Sequence, residues 1–422
     1  MTKPVLFFAL LILLATAGTI AADAAAERTE AAGRDWPQWR GANRDGLSAE
    51  TGLVREFPEG GPEVVWRIKA GEGYSSVSVV DNKLYTMWDE PEKQFLVCLD
   101  ALTGEELWRR ELGAAFTNHY GNGPRSTPLV DGGVVYAIGT EGLLLAANRK
   151  TGRTLWQHDL AGEYRSKLPS YGFSSSPLVV GDKLIVEAGG KNATYIAFDK
   201  KNGEVAWTSG SDRPAYSSPI SVSIDGVEQI VFWSAHGLHS VSAETGQALW
   251  DYSWDTFCPV SGDPLNTGTP IFIAPDRIYI SSGSGAALIR VSRAGETFKV
   301  EPVWKSELMR SDVNTALLVG DHIYGFDRGI LKSLDARTGE VAWKARGFER
   351  GSLIGADGRL IVLGESGNLA LVEATPEEFV QTASAKILTG KNWTSPTLAR
   401  GKLYLRNHEE LVCLDLTSRR SP

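Results

Sequence analysis

The chain has 422 residues, a net charge of −8 and a pI near 5.5, so it does not attract a phosphate backbone and nucleic acid is excluded as a partner. Hydrophobic residues make up 42%, enough for a large core, and 45 glycines together with 13 tryptophans suit many short strands joined by tight turns. Three cysteines exclude a disulfide-dense scaffold.

Residues 1–26 read as a secretory signal peptide. Lys3 gives the positive start, Val5 to Ala17 the apolar core, and small residues follow, with cleavage expected between Ala17 and Ala26. The apolar run is too short for a comfortable membrane span, and no cysteine follows it to carry a lipid. A periplasmic or extracellular protein without a membrane span in its mature chain, and a monomer, is expected. Residues 27–62 read as an N-terminal extension, which predicts that truncation before Glu63 is tolerated.

From there one phrase recurs: an apolar strand, an acidic residue, Thr-Gly, then a short strand with a tryptophan. CLDALTGEELW ends at Trp108, AANRKTGRTLW at Trp156, AFDKKNGEVAW at Trp207, SVSAETGQALW at Trp250 and SLDARTGEVAW at Trp343. A stretched copy, VSRAGETFKVEPVW, ends at Trp304, and in a degenerate copy Leu388 stands in the tryptophan's place. The last copy, around Asp415, stops before its tryptophan. The missing strand lies at the other end of the chain, in PEVVWRIKAG with Trp66.

Eight copies at a spacing of about 38–51 residues fall in the range of a four-stranded propeller blade. Within each, Ser-Ser-Pro or a variant opens a strand. An Asp-Asn, Asp-Gly or Gly-Asp pair, tolerant of positive φ, turns it into a second. The fold expected over 63–416 is therefore all-β: an eight-bladed propeller of four-stranded antiparallel blades, closed by an N-terminal strand that completes the last blade. Residues 417–422 are a tail. The repeated tryptophans are assigned to packing between blades, and Cys98 and Cys413, at equivalent repeat positions, to buried thiols.

The LDAxTGxxxW phrase, the Ser-Ser-Pro strand openings and the eightfold count resemble the pyrroloquinoline-quinone (PQQ) repeat propellers, over roughly Asp35 to Leu416. The opening DWPQWRGANRDGLS, with Trp36 and Trp39, is similar to the start of secreted members. The resemblance implies one of two roles: a quinoprotein dehydrogenase using PQQ with Ca²⁺, or a non-catalytic scaffold such as BamB of the outer-membrane assembly machinery. The adjacent cysteine pair found over the quinone in many dehydrogenases is missing, and so is a CxxCH haem site. The scaffold branch, with a protein or glycan partner in the cell envelope, is the expected function. A PQQ-dependent oxidoreductase is the alternative, and a polysaccharide hydrolase or lyase a second.

Residues just before each first strand of a blade gather on one face around the central channel. They give the candidate site: Tyr74, Tyr120, Arg125, Tyr171, Tyr216, Asn266, Asn314, Arg350 and Trp393 as ligand contacts. Two arginines are suited to clamp an anion, and the aromatic rings to stack on a planar ring or a sugar face. Asp312 is the one carboxylate in the set and His119 the one proton-transfer candidate, for any catalytic role. No metal site is expected; His236 and His239 lack a third ligand at suitable spacing.

Overall fold

A computed structural model describes residues 34–259 and 261–418; the predicted leader and the last four residues lie outside them. Eight antiparallel sheets follow one another round a ring, at 78–114, 129–159, 178–209, 220–253, 271–306, 317–345, 352–386 and 397–415. We number these blades one to eight. Blade eight supplies three strands of its own, and its fourth is Glu63–Lys69, which pairs antiparallel with Glu410–Asp415 and sets Trp66 opposite Cys413. The ring is closed by this strand, as the sequence predicts. Among the described residues no helix is long and apolar enough to cross a membrane.

Burial follows strand order. In blade three the second strand, Lys183–Gly190, is buried through most of its length, whereas the outer strand Val205–Ser209 is exposed except at Trp207. An outer strand has one face on its own sheet's neighbour and one on water, so only its tryptophan is drawn inward. That tryptophan makes the joint between blades. The indole N–H of Trp66 donates to Ala101 O at 3.0 Å, Trp108 to Arg149 O at 3.2 Å and Trp156 to Lys200 O at 3.3 Å. Trp207, Trp304 and Trp343 reach the carbonyls of Ala243, Ala336 and Thr375, respectively, in their following blades in the same manner.

The glycine of each Thr-Gly turn exists for this joint. Gly152, at φ +66°, lies against Trp108 so closely that a Cβ would come within 2.6 Å of the ring; Gly203 stands likewise 2.8 Å from Trp156. The aspartate or asparagine before the turn fixes it by accepting backbone N–H groups. Asp100 Oδ1 takes Leu102 N and Thr103 N, and Asn148 Oδ1 takes Lys150 N and Thr151 N. Cys98 and Cys413 are buried thiols, each pushed up to about 12 by burial.

Residues 34–54 do not lie outside the ring. They form a strap that crosses the central channel. Trp36 exchanges both backbone hydrogen bonds with Val79 of blade one, and Val130 N of blade two donates to Pro37 O. Trp39 Nε1 reaches Thr269 Oγ1 of blade five at 2.8 Å. Arg40 donates to Ala316 O of blade six at 2.7 Å, and Arg44 to Pro177 O at the opening of blade three at 2.7 Å. Leu47–Ser48 adds a parallel strand to blade seven, and Val54 N donates to Leu416 O of blade eight. Trp36 and both arginines are buried. The expected tolerance to truncation before Glu63 does not follow from this arrangement, because removing the strap would strip contacts from seven of the eight blades.

Candidate functional site

The strap closes one end of the channel and leaves a cup at the other, with a cavity of about 390 Å³. The connections between blades build its wall, because each runs from an outer strand back to the axis. Tyr74, Tyr120, Arg125, Tyr171, Tyr216, Asp312, Arg350 and Trp393 all line it. Trp39, from the strap, forms part of the floor with Ser176, Ser218 and Ser395.

The aromatic residues are clustered on one side. Tyr74 and Trp393 stack at 5.7 Å, Tyr120 meets Tyr171 edge-on at 5.6 Å, and Tyr171 lies 5.0 Å from Tyr216. Arg125 sits among them, its guanidinium 5.4 Å from the Tyr74 ring and 5.5 Å from Phe116. It donates to Gly123 O and Gly121 O, both at 2.8 Å, and burial presses its pKa down. Tyr74 Oη donates to Tyr120 O at 2.6 Å, and burial pushes its phenol up to about 12. The far side of the cup carries the ion pair of Arg350 Nε with Asp312 Oδ2 at 3.1 Å.

Three candidates have other places. Asn266 is fully buried and its amide donates to Ser234 O at 2.7 Å, so it anchors a strand end. Asn314 donates to the carbonyls of Arg350 and Gly351 and ties blade six to blade seven. His119 is exposed, with its ring 4.2 Å from that of Tyr120, and lines a neighbouring hollow of about 300 Å³ with Glu72 and His408. Arg350 is not a second free cation for an anion clamp, since Asp312 neutralises it.

The sequence does not place Trp39, Cys258 or the floor serines in the cup. Trp39 precedes the first repeat, so no repeat position located it, and Cys258 belongs to the long connection after blade four. The serines were visible only as strand openings. Two of them also serve the ring: Ser176 Oγ accepts Thr127 N and Ser218 Oγ accepts Ser176 N, each at 2.9 Å.

A charged group lies outside the cup. Asp212 lies between His236 Nδ1 at 2.5 Å and His239 Nε2 at 3.0 Å, and His239 Nδ1 meets Asp251 at 2.6 Å. Burial opposes the charge on His239, yet its hydrogen bonds to Asp212 and Asp251 hold its pKa above the ordinary value. Among the described residues no three His, Cys, Asp or Glu side chains converge as metal ligands.

The comparisons with known proteins agree with this ring. The model of the family described as outer membrane protein assembly factor BamB matches residues 50–170 and 92–345, which together span more than half of the chain. The chain belongs to this family. The assembly factor BamB of Shewanella oneidensis is 23% identical over 332 residues, covering 76% of this chain and 80% of that protein. Among solved structures, BamB from Moraxella catarrhalis superposes with a TM-score of 0.61 at 17% identity, over 85% of this chain and 99% of that one. A quinohemoprotein alcohol dehydrogenase from Pseudomonas putida superposes with a TM-score of 0.63 at 14% identity, over 92% and 81%. At such identities the two structures speak for the fold alone.

The cup's donors do not fit a Ca²⁺-bound quinone. Hard cations select several oxygen ligands with carboxylates prominent, whereas among the described residues this lining has one carboxylate, already held by an arginine. The aromatic wall suits a flat ring, but the cation that would polarise a quinone carbonyl has no ligand set.

Proposed function

We propose that this protein is a non-catalytic binding scaffold of the cell envelope that engages its partner through the cup. The observation that carries the reading is the cup's lining: among the described residues its one acid is Asp312, which is tied to Arg350, and no second carboxylate stands beside it. Glycoside hydrolysis needs two carboxyl groups about 5–9.5 Å apart, so the hydrolase reading has no support in this lining. The aromatic wall and Arg125 retain the features of a recognition site. Relatives named as outer membrane protein assembly factors support a scaffold role, and the predicted leader supports export.

Two measurements test it. The exported protein, immobilised, is exposed to solubilised envelope extract beside the double variant Arg125→Ala, Trp393→Ala. Retention by the wild type and loss from the folded variant is the expected result; equal retention would move the contact off the cup. Calorimetric titration with PQQ, with and without Ca²⁺, is expected to give no Ca²⁺-dependent binding. Saturation near one per chain would revive the dehydrogenase reading.

A further inference from the structure

We propose that the cup recognises an acidic sugar of the hexuronic-acid type, with its ring against the aromatic wall and its carboxylate at Arg125. This rests on the reading of the cup as the binding surface.

Charge gives the first half of the argument. Arg125 uses N–H groups on two backbone carbonyls and has no carboxylate within ion-pair distance among the described residues. Two further arginines stand behind the floor. Arg44 donates to Ser176 O at 3.1 Å, directly behind a serine of the lining, and Arg40 donates to Thr315 O and Ala316 O. Both are fully buried on carbonyl and amide oxygens, and burial lowers them to about 9 and about 10, the nearby Asp45 opposing the shift at Arg40. Among the described residues of the lining the one carboxylate is Asp312, which pairs with Arg350, while Asp45 and Asp89 act on Arg40 and Arg125 from outside the lining without an ion-pair contact. Low-dielectric walls focus such a field, and an anion entering the cup relieves it. Arginine also offers a carboxylate a fork of parallel N–H donors.

The second half is the mixture of faces and hydroxyls. Tyr171, Tyr216, Tyr74 and Trp393 present flat apolar surfaces. Between them lie Ser176 and Ser218, whose oxygens accept backbone N–H groups and so keep their O–H protons to donate. The Asp312–Arg350 pair adds an acceptor and donors on the opposite wall. A purely aromatic acid would fill the stacking surface and leave these polar groups without partners, which is costly in a confined site. A sugar ring carries hydroxyls on its edge and C–H faces above and below. The volume of about 390 Å³ accommodates one or two rings.

The test titrates the exported protein with D-galacturonic acid and with D-galactose, which differ at the carboxylate, and follows tryptophan fluorescence and heat. Binding of the acid at least about tenfold tighter than the neutral sugar is expected, a typical worth for a charge-assisted contact. Arg125→Gln should bring the acid down to the level of galactose in protein that circular dichroism shows to be folded, and Arg125→Lys, which keeps the charge, should retain part of the preference. Asp312→Asn should preserve the preference for the acid. Equal binding of both sugars would overturn the acidic-sugar assignment while the binding reading stands. Tighter binding of benzoate than of galacturonate would replace the sugar with a planar acid. If neither sugar binds while envelope capture still depends on Arg125 and Trp393, the ligand class is wrong; if capture is also independent of them, the cup reading falls too.

Discussion

The joint between blades two and three and the joint between blades four and five are made from the same repeat with opposite results. In the first, Trp156 crosses to Lys200 O and rests on Gly203. In the second, the hairpin of blade five runs on as Gly285–Ala294 paired with Thr297–Ser306, past the point where other blades turn. No turn glycine arrives beneath Trp250, and its indole donates to Gln229 Oε1 of its own blade at 2.7 Å. The tryptophan and the glycine therefore form a single unit that spans two sheets. The repeat codes for a joint, and a blade is what lies between two joints.

The largest effect that would break this picture comes from outside the repeat. Deleting residues 34–54 removes Trp36, Arg40 and Arg44 from the channel, and we expect loss of cooperative folding or a fall of several kcal/mol, checked by urea unfolding. If the truncated ring is as stable as the full one, the joints alone hold the molecule.

The joint between blades three and four carries a titratable group. Glu187 is buried, accepts Ser234 Oγ at 2.5 Å across that joint, and burial raises it from 4.5 to about 8. Below pH 4.5 the carboxyl is protonated folded or unfolded. Between there and about pH 8 only the unfolded chain ionises, so stability falls as pH rises through this window. Glu187→Gln should flatten that decline, by on the order of a few kcal/mol at pH 8. An unchanged profile would place the pH dependence elsewhere.

A smaller and sharper comparison uses two glycines of nearly equal φ. Gly152 at +66° abuts Trp108, and Gly295 at +68° has nothing within 4 Å. Gly152→Ala should cost about 2–4 kcal/mol through overpacking added to backbone strain, and Gly295→Ala about 1 kcal/mol from strain alone. Equal losses would show that φ, and not the ring beneath it, selects glycine. The smallest contrast is Trp207→Phe against Trp250→Phe. The first leaves Ala243 O without its indole donor, for about 1 kcal/mol; the second costs less, because Gln229 Oε1 still accepts Ser240 Oγ at 2.8 Å.

The ring was legible because its joints repeat; the cup was legible only as far as side-chain length allowed. Tyr171, Tyr216 and Asn266 each precede a first strand. The long rings extend into the cup, while the short amide of Asn266 finds Ser234 O first and stays in the wall. Arg350 and Asp312 both line the cup, yet their pairing joins residues from successive connections and has no local signature. Trp39 was out of reach because the strap occurs once.

That strap changes what kind of repeat protein this is. Stacked repeats ordinarily behave as a one-dimensional array, in which an end unit can fray while its neighbours persist. Here the earliest part of the described chain is stitched into blades one, two, three, five, six, seven and eight. The array has no end from which to fray, and amide exchange at the core of each blade should report one common opening event for the whole circle.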